Sequence, residues 1–201
     1  ALINILAPLI GSLVAGLAAK RIGRVGAHSV TIALMLVSFL AAVKIAIDVF
    51  YFNQTFYGTV YTWAASGSFT FNIGLMIDHL TAVMLLVVTF VSTLVHIYSM
   101  GYMRDDPGYQ RFFCYVSLFT FMMLMLVTAN NFLQIFFGWE GVGLVSYLLI
   151  GFWFTKESAV QGSLKAFLVN RVGDFGYILG IAAILDNYGS LDYKHTFAQA
   201  A

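Results

Sequence analysis

The sequence predicts an all-α integral membrane protein of six transmembrane helices, with one short loop or hairpin lying on the outer surface. Three observations carry this fold class. Of 201 residues, 61% are hydrophobic and only 9% charged, against about 25% charged in soluble globular domains, and mean hydropathy is +0.88. Six apolar segments stand out, at about 2–19, 29–52, 73–103, 112–129, 132–154 and 164–185. Each can cross a hydrocarbon core of about 30 Å at about 1.5 Å per residue, and none has the length or alternation of a barrel strand. Finally, the basic residues concentrate in alternate connections, as the positive-inside rule requires.

The first segment, 2–19, is followed by Lys20, Arg21 and Arg24. These bases come after the apolar stretch, whereas a signal peptide carries them before it. The second segment holds Lys44 and Asp48 at i and i+4, a spacing that predicts a local pair near the outer surface. The connection 53–72 carries no Asp, Glu, Lys, Arg or His; Tyr61, Trp63, Phe69 and Phe71 alternate with small or polar residues around Ser66, Gly67 and Ser68. That pattern predicts a hairpin anchored at the interface by its aromatics.

The third segment, 73–103, places Asp78 and His79 at its outer start and His96 near its inner end. The helix macrodipole favours a carboxylate at Asp78. Arg104 and Arg111 follow it. The fourth segment contains the single cysteine, Cys114, which reads as a small buried hydrophobe. The connection 129–131 has no Lys or Arg, and Lys156 follows the fifth segment. Odd connections are therefore basic and even ones are not, which predicts that the first residue faces outward. The chain begins without Met and ends at Phe197-Ala-Gln-Ala-Ala, so it reads as a single transmembrane domain cut from a larger membrane protein.

Glu140 is the only formal charge between Asn131 and Thr155. A carboxylate near the centre of a span costs roughly 2.5–3.5 kcal/mol on insertion scales, so an acid there marks an ion pathway or relay, or else a structural acid that fixes helix packing. The sixth segment contains Asn170-Arg171-Val-Gly-Asp174, with Arg171 and Asp174 about 11 and 15 Å from its inner end. Their i, i+3 spacing puts them on one face, where they can pair, and Asn170 is placed to share hydrogen bonds with Asp174. Lys165, nearer the inner end, either snorkels to the interface or stands at the mouth of a half-channel. Gly138, Gly141 and Gly143 surround Glu140 and allow a neighbouring backbone to come close.

Other chemistries lack their residues. His79 and His96 share one helix about 25 Å apart, while His28 and His195 lie in or near loops, so a bis-histidine haem site is not supported. His96 can instead serve as a relay group that titrates near neutrality. Nucleotide, metal and serine-nucleophile motifs are missing, and ten scattered Lys and Arg residues form no stripe for nucleic acid.

The run GWEGVGLVSYLLIGFWF, followed by KAFLVNRVGDFG and preceded by IDHLTAVML, VHIYSMGYM and GYQRFFCYVSLF, resembles subunit 5 (subunit L in bacteria) of respiratory complex I, the NADH:quinone oxidoreductase. The resemblance covers at least 73–193. It implies an antiporter-like bundle built from inverted five-helix repeats, proton translocation, and no cofactor in this chain, with flavin, iron–sulfur clusters and quinone in other subunits. It also implies that Glu140 is the essential acid of the fifth helix, paired with a lysine on a later broken helix, and that Asp174 and Arg171 lie beside a homologous antiporter-like neighbour. A bacterial inner membrane or a mitochondrial inner membrane would be the setting. The large subunit of multisubunit sodium/proton antiporters and the chloroplast-type plastoquinone enzyme are similar alternatives, and a non-transporting scaffold with permanently paired charges is a third.

Overall fold

The computed structural model of the chain describes residues 1–66 and 69–200. Its order is α1 (Leu2–Leu17), α2 (Ala19–Phe52), β1 (Phe56–Ser66), β2 (Phe69–Ile77), α3 (His79–Tyr102), α4 (Tyr109–Val127), α5 (Phe132–Ile150), α6 (Glu157–Tyr188) and α7 (Tyr193–Ala200). Helices α1 to α6 run up and down, and five of them, α2 to α6, are long and apolar enough to cross a membrane. Helix α1 is apolar but has 16 residues, below the length of about 20 that a span ordinarily needs.

The expected first connection is mostly helical. Helix α1 ends at Leu17, and α2 begins at Ala19 with Lys20 and Arg21 already in its first turn. Gly23 interrupts α2 with φ 66°, a left-handed value open to glycine at no steric cost. The kink turns Arg24 toward the connection after α3, where its guanidinium donates to the carbonyls of Arg104 (2.6 Å) and Asp106 (3.1 Å). His28 consequently lies within a helix rather than a loop.

The third span is shorter than expected, because residues 73–77 belong to β2. Phe69, Phe71, Ile73, Leu75 and Ile77 alternate with Thr70, Asn72, Gly74 and Met76, a period of two that builds a strand however apolar the window is. β1 and β2 pair antiparallel from Phe56↔Ile77 to Ser66↔Phe69, with irregularities at Val60 and Trp63. The expected turn centre, Gly67 and Ser68, lies outside the described residues. Asp78 then starts α3 as its N-cap, its Oδ1 accepting the Thr81 N–H at 2.8 Å.

Helices α1 to α4 share a core centred on Ile5, Ala42, Leu75, Leu85 and Leu124, with a second cluster of Met103, Tyr109, Phe113 and Phe152 toward the other end. Helix α5 packs closely on α4: a side chain at Gly138 would strike the Leu126 backbone at 2.7–2.8 Å. Gly141 faces Met122, while Gly143 leaves ordinary space toward Asn170 on α6. The close approach expected around Glu140 is thus made by Gly138 and Gly141.

At the hairpin end, Asn131 caps α5 by accepting the Gln134 N–H (2.8 Å) and donates to the Asn72 carbonyl (2.8 Å). The Tyr57 hydroxyl donates to the Asn130 carbonyl (3.1 Å) and receives the Lys194 N–H (3.3 Å). Burial, with Asp192 adding to it, pushes the Tyr57 phenol up to about 12, so it stays a donor. A left-handed Gly189 ends α6, and an Asn131↔Asp192 bridge leads into α7, an element the sequence reading did not contain. Hairpin, α5 and α7 are thereby clamped together.

Candidate functional site

Helix α5 carries Glu140 away from the glycine face that meets α4 and toward α6. There Arg171 pairs with Glu140 directly, and its Nη1 also lies 3.6 Å from Asp174 Oδ2. The Arg171–Asp174 pairing expected from the i, i+3 spacing is present, but the guanidinium sits between two carboxylates and favours the one on the neighbouring helix. Trp139, adjacent to Glu140 on α5, donates its indole N–H to Asp174 Oδ1 at 2.9 Å. The guanidinium also stacks on Phe167, 4.4 Å from the ring centroid. A cavity of about 150 Å³ opens beside Glu140, Ser146, Asn170 and Arg171.

Side-chain exposure grades across the cluster, from 8% at Asp174 to 20% at Glu140 and 37% at Arg171. Two acids around one base leave the group one proton short of neutrality. Desolvation penalises that imbalance, and one proton or one small cation would cancel it. A proton on either acid would also free the guanidinium for the other. The arrangement can therefore exchange charge between α5 and α6 with small side-chain movements.

The remaining site residues are dispersed. Asp78 is a capping residue at the hairpin end. Lys165 is exposed on α6 and forms no ion pair among the described residues. Lys44 and Asp48 do not pair despite their spacing; the ion pairs among the described residues both involve Arg171. Asn170 does not bond Asp174, whose partners are Trp139 and Arg171. His96 is 1% exposed and lies in the α3–α4 core, hydrogen-bonded to Ser92 and Ser117, on the far side of α4 from the cluster. Trp139 was the residue sequence reasoning missed. Its signal was available: an indole N–H inside a span needs a partner, and one helix turn offers few.

Comparison with known proteins places the chain among related membrane subunits. Residues 63–113 match the family described as NADH-ubiquinone oxidoreductase (complex I) chain 5 N-terminus, and residues 129–200 match the NADH:quinone oxidoreductase/Mrp antiporter transmembrane family. NADH-quinone oxidoreductase subunit L of Neisseria meningitidis serogroup A is 54% identical over 98% of this chain and 30% of its own length. NADH-ubiquinone oxidoreductase chain 5 of Arabidopsis thaliana is 46% identical over 100% of this chain and 30% of its own length. The chain thus spans about 30% of the curated relatives it matches. Among solved structures, the archaeal membrane-bound sulfane sulfur reductase superposes with a TM-score of 0.83 at 19% identity, covering 96% of this chain and 38% of the other. The Mrp complex from Dietzia sp. gives 0.76 at 21% identity, covering 94% and 20%. These two likenesses establish a shared fold.

Proposed function

The chain belongs to the family of NADH-quinone oxidoreductase subunit L and NADH-ubiquinone oxidoreductase chain 5, and we propose that it forms the first part of a proton-translocating subunit of complex I. The observation that carries this reading is the three-residue charge cluster, Glu140–Arg171–Asp174, held between two membrane helices beside a small cavity. Glu140 is the proton-accepting acid. Arg171 compensates its charge, and Asp174 offers the guanidinium a second seat. Lys165 and Asp78 stand apart from this group and act, on this reading, only as flanking charges at the two membrane surfaces.

Helix α1 crosses the membrane with the other five, packed against α2 and α4 and tied to α2 by the bonds between Asn4 and Ser38. The end bearing Lys20, Arg21, Arg24, Arg104, Arg111 and Lys156 faces the cytoplasm or mitochondrial matrix, and the hairpin and the N-terminus lie on the outer side. Redox centres and quinone reside in other subunits, and a later lysine of the same protein together with a homologous neighbour completes the pathway. The setting is a bacterial or mitochondrial inner membrane.

Glu140→Gln in the full-length protein within its native assembly tests this. The amide keeps the volume and can still accept from Arg171, but it cannot bind a proton at working pH. Proton pumping and the coupled quinone reductase activity should fall while native gels show normal assembly. Unchanged pumping in a normally assembled complex would exclude Glu140 from the pathway.

A further inference from the structure

At the basic end, Arg21, Arg24 and Arg104 are exposed, whereas Arg111 in the first turn of α4 is half-buried. Its guanidinium lies 4.7 Å from the centre of the Phe152 ring and 5.1 Å from that of Phe154. Among the described residues it makes one hydrogen bond, from Nη2 to the Phe152 carbonyl at 3.1 Å, while Nε is buried without an acceptor. No carboxylate among them comes within ion-pair distance. The two rings offset part of the lost hydration, but the charge itself stays unmatched, and a half-buried charge favours any anion that can reach it.

Arg111 also lines a cavity of about 670 Å³ that runs over α4, between the end of α1 and the α5–α6 connection. Its size falls within the roughly 300–1,000 Å³ of small-molecule sites. Ala15, Gly16 and Cys114 make an apolar wall on one side, and Phe154 faces them from the other. Asp106, the one acid lining the cavity, is already engaged: its carboxylate accepts the Gly108 N–H and the Trp153 indole N–H, both at 2.7 Å. At the rim, Lys156 holds its Nζ 4.9 Å from the Trp153 ring centre and adds a second positive charge. Arg111 is the third residue of α4, about 3 Å from the inner end of that helix. An unmatched guanidinium thus stands over an apolar groove at the level where a bilayer's phosphates give way to its acyl chains.

We propose that this cavity holds one anionic phospholipid of the cytoplasmic or matrix leaflet, its phosphate on Arg111 and an acyl chain in the groove over α4. The guanidinium fork matches two phosphate oxygens, and basic pockets between membrane helices on that side suit such headgroups. The headgroup carries no amine, because a choline or ethanolamine ammonium would face both Arg111 and Lys156. Bound there, the lipid joins α1 and α4 of the four-helix core to the connection that leads into α6. The inference uses the membrane orientation proposed above, and nothing in it depends on proton transfer.

Lipid crosslinking of the full-length protein within its native assembly tests this. The assembly is placed in phosphatidylcholine nanodiscs doped with either phosphatidylglycerol or phosphatidylcholine bearing the same photoactivatable acyl chain, and labelled peptides are mapped by mass spectrometry. Peptides covering 15–19 and 110–115 should take up the phosphatidylglycerol label about fivefold over the phosphatidylcholine label, the factor that one basic residue contributes at an anionic lipid surface. The peptide covering 98–104 is the reference, since Arg104 is exposed and does not line this cavity; it reports the general attraction of anionic lipid to the basic end. Arg111→Gln should lower the ratio at 110–115 to that of the reference. Equal ratios at the two places in the unmodified protein overturn the site, leaving only general attraction. Absence of label from either lipid at 15–19 and 110–115 overturns it as well, because protein then covers the cavity. These two readouts need no variant, so they decide even if Arg111→Gln fails to assemble; an assembled Arg111→Gln that keeps the full preference also rejects the proposal.

Discussion

Helices α1 to α4 and the α5–α6 pair treat polar groups in opposite ways. In the four-helix core, Thr31, Thr89, Thr93 and Thr128 return their hydroxyls to carbonyls one turn back on their own helices. Asn4 and Ser38 exchange bonds across α1 and α2 at 2.8 and 2.6 Å. Asp or Glu, Lys or Arg do not appear among the buried residues of α1 to α4. On α6, by contrast, only Ser163 and Asp174 are buried, and Leu164, Val169, Val172 and Phe175 stand exposed. All ion pairs among the described residues lie here. Polar groups satisfied by their own backbone gain nothing by moving, so the core is a fixed frame. One guanidinium held between two carboxylates on neighbouring helices can change partners by side-chain movement alone, a freedom that the proposed translocation site would use.

The largest effect should follow from breaking the frame where the two regions meet. Gly138→Val places two methyls against the Leu126 backbone, already 2.7 Å from a bare Cβ, and backbone cannot rotate away. Overpacking of this kind costs about 1–3 kcal/mol, and helix separation would also loosen the Asn131 clamp. Assembled protein on native gels should drop sharply, while Gly143→Ala, which has open space, should assemble normally. Equal tolerance of both would mean that α4 and α5 do not pack this tightly.

Next in size is the removal of the shared cation. Arg171→Gln leaves two carboxylates facing each other, and breaking a buried pair costs roughly 3–5 kcal/mol when a charge is orphaned; the 37% exposure of Arg171 discounts that toward about 1–2 kcal/mol. Combining it with Glu140→Gln removes one orphan, so the double variant should recover assembly and thermal stability relative to Arg171→Gln alone, although pumping stays lost. A strictly additive double variant would show that Glu140 and Arg171 are not coupled.

What the sequence disclosed follows from how local each signal is. Apolar length and the alternation of basic residues read out the helices and their up-and-down order, because both act within one segment. Period-two alternation in 69–77 was equally local, but the apolar run from Ile73 continues into the helix, so the third span was drawn six residues too long at its start. Glu140, Arg171 and Asp174 were legible as costly intramembrane charges, and the partner within reach of Glu140 was not, since Arg171 is 31 residues away and meets it only after two helices pack. Lys44 and Asp48 illustrate the reverse error: their spacing permits a pair that the structure does not form, as exposed helix pairs are worth only about 0.3–0.5 kcal/mol.

The smallest effect tests the least conspicuous contact across the α5–α6 pair. Trp139→Phe keeps most of the ring but deletes the N–H that reaches Asp174 Oδ1 at 2.9 Å. Hydrogen bonds to charged groups contribute about 1.5–3 kcal/mol, yet Trp139 is itself half exposed, so assembly should change little. The consequence should fall on partner choice. Without the indole, Asp174 has lost its competing donor and should draw Arg171 away from Glu140. Pumping in the assembled complex should then fall modestly in Trp139→Phe, whereas Trp139→Phe added to Asp174→Asn should cause no further change, because no second acid remains to attract the guanidinium. Unchanged pumping in the single variant would show that Trp139 merely fills space, and that the division of Arg171 between its two acids is set by helix geometry alone.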